Sequence, residues 1–269
     1  MGAEINNRSQ GRDESPEFRK EKLKEIILRL HKGHTVADVQ AAFSESFGQV
    51  SSEEISRAEQ ALIDEGMAVE EVQRLCDVHA AVFKGSITDG QDQVGREHQP
   101  GHPVHTLLLQ NKALRALIKD LSARLSKGQV DDALKVQAAR LAGIDAHYKV
   151  KENLFFPYLE KYGVSGPPKV MWGVDDEIRA EIATALGALE RGVTAPLSAV
   201  LVRLEDMAFK EENILTPLML EKLTLDEWRQ IADDTPEFGY LLIPPVPRWQ
   251  GNEGGTPGLS GRARPSPAG

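Results

Sequence analysis

Apolar residues recur along this chain at steps of three and four, the spacing that lines one face of an α-helix. Leu23, Ile27 and Leu30 form one such stripe, and Ile55, Ala58 and Leu62 form another. The pattern predicts four short helices over about 17–31, 35–47, 52–65 and 68–83. Thr35 precedes VADVQ, and Ser51-Ser52 precede two glutamates, residues suited to helix N-termini. Gly48 and Gly66 fall where helices are expected to stop. A longer series follows, beginning with a helix over about 103–126 that opens on Pro103 and carries Leu107, Leu114, Ile118, Leu121 and Leu125 on its stripe. Further helices are predicted over about 129–162, 171–190 and 195–222, with a last one after Thr224. Long helices with short connections make an up-down four-helix bundle the natural solution. The fold class is therefore all-α, a small N-terminal helical domain followed by a four-helix bundle.

The divisions read as a polar, disordered tail over 1–16, the N-terminal domain over 17–83, a Gly-rich linker over 84–100 and the bundle over 101–235. An extended segment over 236–249, where prolines forbid helix, leads into a Gly/Pro/Ser-rich disordered tail over 250–269.

The stripes of the bundle contain residues that do not belong on an apolar face. One helix aligns Ile144, His147, Lys151, Leu154 and Tyr158; another aligns Val200, Leu204, Met207, Glu211, Ile214 and Leu218. A third offers Met171, Asp175, Ile178, Ile182 and Leu189. So His147, Lys151, Asp175 and Glu211 all point at one interior, where an ionisable group is costly unless paired or bound to a metal. Two segments also repeat each other: KENLFFP at 151–157 and EENILTP at 211–217. Four residues before them stand His147 and Met207, so each copy keeps half of a His-x-x-x-Glu pair on one helical face.

Two accounts remain open on these residues. In one, Lys151 and Glu211 form a buried ion pair and His147 bonds Asp175 in a structural network. In the other, His147, Asp175 and Glu211 are metal ligands, a donor set suited to iron, manganese or zinc. His102 and His105, in GHPVH, are three apart and are candidate ligands from the first bundle helix, although Asn111 holds the position on its stripe. In LCDVH, Cys76 and His79 share a helix face and are candidate cofactor contacts, for a metal or a haem. His31, His34 and His98 fall at a helix end or in the linker and are assigned no chemistry.

Composition narrows the function classes. The formal charge of −9 argues against a nucleic-acid or anionic-membrane surface. No apolar run reaches the length of a membrane span, and the start has no apolar signal core. A single cysteine, Cys76, excludes an intramolecular disulfide and fits a cytoplasmic location. No Ser/His/Asp triad, P-loop or dinucleotide fingerprint is present, so an enzyme is the less favoured class.

On GHPVHTLLLQN, HYKVKENLFFPYLEKYGVSGPPKVMWGVDDEIR and FKEENILTPLMLEKL, the chain resembles hemerythrin-like (HHE) cation-binding proteins. On EEISRAEQALIDEG and LCDVHAAVFKGSI it resembles the bacterial subgroup with an N-terminal helical domain of unknown function, here without the PAS domain often found C-terminally. The resemblance implies a hemerythrin-like bundle and a non-haem iron centre, mono- or dinuclear, held by histidines and carboxylates. It implies sensing or handling of oxygen, nitric oxide or iron. A haem-binding sensor, and a metal-free helical interaction or signalling protein with a degenerate site, are the alternatives. His147 matches the His of one family motif and Glu211 the Glu of the other, whereas Lys151 and Met207 replace their mates. Asp175 stands where a histidine is usual, and Glu152 and Glu212 beside the stripe are reserve carboxylates.

Overall fold

The first two helices each carry their own start signal. α1 (Pro16–His31) is capped by the Ser15 hydroxyl, which accepts from the Phe18 N–H. α2 (Val36–Ser46) opens on a capping box in which Thr35 and Asp38 each accept from the other's backbone N–H. With α3 (Ser52–Asp64) these helices bury Leu23, Ile27, Leu30, Val39, Phe43, Ile55, Ala58 and Leu62 in one apolar cluster. The computed structural model describes residues 15–47, 52–68, 71–72, 96–128 and 130–251. Most of the helix expected over 68–83, most of the linker, and both Cys76 and His79 lie outside the described residues.

The bundle follows, and the described residues are all-α, with no strand among them. α4 (Pro103–Ser126) forms as expected. The next arm runs through α5 (Asp132–Ala139), a 3-10 turn (Arg140–Gly143), α6 (Ile144–Val150), a π turn (Lys151–Phe155) and α7 (Phe156–Lys161). α8 (Gly166–Glu190) returns. The last arm is α9 (Ala195–Lys210), a second π turn (Glu211–Leu215) and α10 (Thr216–Lys222). α11 (Leu225–Asp234) closes the series behind a Thr224–Glu227 capping box.

The two π turns coincide with the two repeated segments, and the repeat explains them. The Phe156 N–H bonds the Lys151 carbonyl and the Thr216 N–H bonds the Glu211 carbonyl, a five-residue step in place of four. Pro157 and Pro217 follow at once; having no N–H, each leaves the carbonyl four residues back without its helical partner. Asn153 and Asn213 donate their side-chain amides, both at 2.8 Å, to the Lys149 and Phe209 carbonyls. A local widening of the helix accommodates both proline rings without ending either arm.

α8 begins at Gly166, five residues before the start the apolar pattern suggests. Pro167 and Pro168 occupy its first turn, where a missing N–H costs nothing. Its N-cap, Ser165, makes no side-chain cap. The cap comes from the N-terminal domain instead: Gln60 Oε1 on α3 accepts from the Gly166 N–H at 2.7 Å and from the Ser165 hydroxyl at 3.2 Å. A Cβ at position 166 would lie 3.0 Å from that same oxygen, so glycine permits the approach. α3 also packs on the second π turn and on α10, which seats the N-terminal domain against the arm that carries Glu211.

After a 3-10 turn (Thr235–Glu237) the chain continues to Gly251 without helix or strand, bending at 241–243, and lies along the start of α4. The Leu241 N–H donates to Gln110 Oε1 at 2.6 Å, and Trp249 Nε1 donates to Gln99 Oε1 at 2.8 Å. Gly101, at φ 87°, admits this strap, since a Cβ there would sit 2.1 Å from the Pro247 carbonyl oxygen. No described helix is long and apolar enough to cross a membrane.

Loss of the cap lent by the N-terminal domain is measurable. Gln60→Ala is expected to destabilise the chain by about 1 kcal/mol and to speed amide exchange at Gly166 and Lys169. Amide exchange followed by NMR checks this, and unchanged rates at both amides would contradict it.

Candidate functional site

The two π turns face each other across the bundle and deliver one residue each, Lys151 and Glu211, to its centre. His147 arrives from α6 and Asp175 from α8. All four side chains are buried: Lys151 and Asp175 are 0% exposed, and His147 and Glu211 are 1% exposed. The Lys151 ammonium donates to Glu211 Oε1 at 2.5 Å and to Asp175 Oδ1 at 2.9 Å. The other Glu211 oxygen lies 3.0 Å from His147 Nε2. Below the ammonium, the Tyr148 ring centroid is 4.1 Å from Nζ, a cation–π contact.

The electrostatics follow from burial. Burial opposes ionisation of Glu211, yet Lys151 and His147 overcome it and hold that carboxyl down at about 2. Burial also opposes charge on Lys151, but Asp175 and Glu211 raise its pKa above the ordinary lysine value. For Asp175 burial wins, reinforced by Glu211 against the pull of Lys151, and pushes the group up to about 8. With Asp175 protonated, one ammonium and one carboxylate balance, and the interior carries no net charge on these three groups. An ionised Glu211 is an acceptor, so the hydrogen bond places a proton on His147 Nε2. Tyr148 is likewise pushed well up by burial, with Asp175 and Glu211 adding to it.

Whether a metal fits here is a question of donors. Both Glu211 oxygens, His147 Nε2 and Asp175 Oδ1 are committed to Lys151 or to each other. The atoms left over are His147 Nδ1 and Asp175 Oδ2, both buried without a hydrogen-bond partner. The central position is held by a cation already, and a second, divalent one beside it would be repelled. Among the described residues no group of three or more His, Cys, Asp or Glu is placed to hold a metal ion. The residues present do not fit the iron centre that the resemblance implies.

The remaining candidates lie elsewhere. His102 is the N-cap of α4: its Nδ1 accepts from the Val104 N–H at 3.1 Å. Its ring is held between Trp228, 4.8 Å away, and Trp249, 4.5 Å away, and burial lowers its pKa to about 4. His105 is half-buried one turn on, with its Nδ1 unpartnered. Asn111, the α4 residue on the stripe, is fully buried and reaches the Ala208 carbonyl at 3.5 Å, just ahead of the second π turn. The reserve carboxylates are engaged: Glu152 takes two bonds from Arg179, at 2.7 and 2.9 Å, and Glu212 takes one from Arg115 at 2.6 Å. Cys76 and His79 lie outside the described residues.

Of the two structural pairings expected, Lys151 with Glu211 is present, while His147 bonds Glu211 and not Asp175. The role of Tyr148 as the floor beneath the ammonium was not read from the sequence, because the residue stands one position off the stripe. Its proximity to Lys151 at a three-residue step was the available signal.

Comparison with known families agrees with the architecture. The family model described as the hemerythrin HHE cation binding domain matches residues 102–219. A family of unknown function, DUF438, matches residues 23–89. No curated protein matches the chain.

The cluster should shape stability against pH in a defined direction. An Asp175 pKa of about 8 in the fold against 3.8 unfolded means the native state keeps a proton that the unfolded chain releases. This group therefore makes the protein less stable as pH rises from about 4 to about 8. Glu211, depressed from 4.5 to about 2, contributes fully above 4.5 and loses its contribution as pH falls toward 2. Urea titrations of the Asp175→Asn variant at pH 5 and pH 8 should show a smaller fall in stability than the parent. An undiminished fall would contradict the assignment.

Proposed function

Because the chain carries an N-terminal domain of the DUF438 family followed by a hemerythrin-like HHE domain, we propose that it has kept the bundle and given up its metal. It works as a metal-free helical interaction and signalling protein, not as an iron enzyme. The observation that carries this reading is the Lys151 ammonium, which stands between Glu211 and Asp175 where the donors would have to meet a metal. The same contacts that exclude a metal tie α6, α8 and the second π turn together, so the cluster does the cross-linking work of the ion. The N-terminal domain rests on α8 and on the second π turn, which supports a role in presenting or relaying the state of the bundle.

Metal analysis and an ultraviolet–visible spectrum of the unaltered protein, purified from iron-rich medium, test the reading. Sub-stoichiometric iron, no haem or iron charge-transfer band, and a melting temperature indifferent to chelator are expected. Stoichiometric iron that disappears in His147→Ala would overturn it.

A further inference from the structure

The interior of this bundle has the acceptor pattern of a receptor for a primary ammonium ion. Such an ion has three N–H donors and no acceptor. Around Lys151 Nζ there are three partners: Glu211 Oε1 at 2.5 Å, Asp175 Oδ1 at 2.9 Å and the face of the Tyr148 ring at 4.1 Å. An aromatic face attracts a cation but offers no lone pair to coordinate a metal. Glu211 turns only one oxygen to the centre, because His147 Nε2 holds the other at 3.0 Å. Glu211 and Asp175 are only two carboxylate residues turned to the centre, short of the three protein ligands that even an open zinc site uses. His147, Glu211 and Asp175 are each almost wholly buried, and Asp175 Oδ2 has no partner of its own. The walls are therefore fixed by the fold and not by Lys151 alone.

We propose that the His147–Tyr148–Asp175–Glu211 centre is an ammonium-binding site, filled in this chain by its own Lys151, and selective for alkylammonium ions over divalent metals. The proposal rests on the metal-free reading above but goes further, since a metal-free bundle need not recognise amines. The Lys151 side chain beyond Cβ is three methylenes and an ammonium. Lys151→Ala therefore removes a fragment equivalent to n-propylammonium and leaves a cavity of that shape above Tyr148.

The test is thermal melting of Lys151→Ala with n-propylammonium chloride, with n-propanol as the uncharged match, and with zinc or manganese chloride. The amine is expected to raise the melting temperature saturably, by about 4 °C, while propanol and both metals leave it in place. The response should vanish in Lys151→Ala/Glu211→Gln. If Lys151→Ala is unfolded in plain buffer, the same additives are present during refolding, and only the amine should restore the helical circular dichroism. No response to the amine, or an equal or larger response to a metal, would overturn the proposal in either format. Metal content of the unaltered chain decides the preceding reading separately, so a metal-free parent with an amine-insensitive variant would sink this inference alone.

Discussion

A lysine ammonium with no exposed surface survives in a protein interior only if the fold supplies its partners, and the bundle is arranged around that requirement. Lys151 reaches Glu211 on the opposite arm and Asp175 on α8, and rests on Tyr148. Removing Glu211 would leave the ammonium without its counter-charge in the core, which costs about 3–5 kcal/mol. The cluster therefore ties both arms to α8 at one level of the bundle. An outer layer repeats the logic nearer the surface: Arg179 joins Glu152 to Asp145, and Arg115 joins Glu212 to Glu205. Within each π turn, the glutamate next to the central residue is thus claimed by an arginine from a neighbouring helix.

The two π turns are the means by which this geometry is reached. Each widens the helix at the residue that must face the centre, and each is followed by a proline that removes one backbone bond. Asn153 and Asn213 then occupy a carbonyl from the turn before, giving the two arms the same local chemistry. Where the arms differ, Lys against Glu and His against Met, the difference is complementary. A positive and a negative residue meet at the centre, and the imidazole of one arm bonds the carboxylate of the other. Internal symmetry of the backbone with opposite charge at the symmetric positions yields a self-contained network.

Much of this was legible in the sequence, and what was missed has physical reasons. Polar residues on apolar stripes marked His147, Lys151, Asp175 and Glu211 as interior groups, because a helix buries one face regardless of what stands there. Which of them would pair was not legible, since spacing along a helix says nothing about rotation between helices. The π turns were hinted at by Pro157 and Pro217 inside otherwise helical stretches, but a pattern of three- and four-residue steps cannot register one extra residue. The early start of α8 was hidden because its cap, Gln60, comes from a helix more than a hundred residues earlier in the chain. His102, a candidate ligand at the start of the first bundle helix, is committed to capping α4 between two tryptophans that local sequence does not bring together.

A charged ammonium, held by its neighbours, occupies the middle of this bundle. The most direct measurement is nitrogen-15 NMR of the native protein labelled at lysine, with the Lys151 signal assigned from the Lys151→Met variant. A slowly exchanging NH3+ resonance that persists at neutral pH and above, coupled to the Glu211 carboxylate, is expected. A neutral amine, or an ammonium exchanging as fast as those of surface lysines, would contradict it.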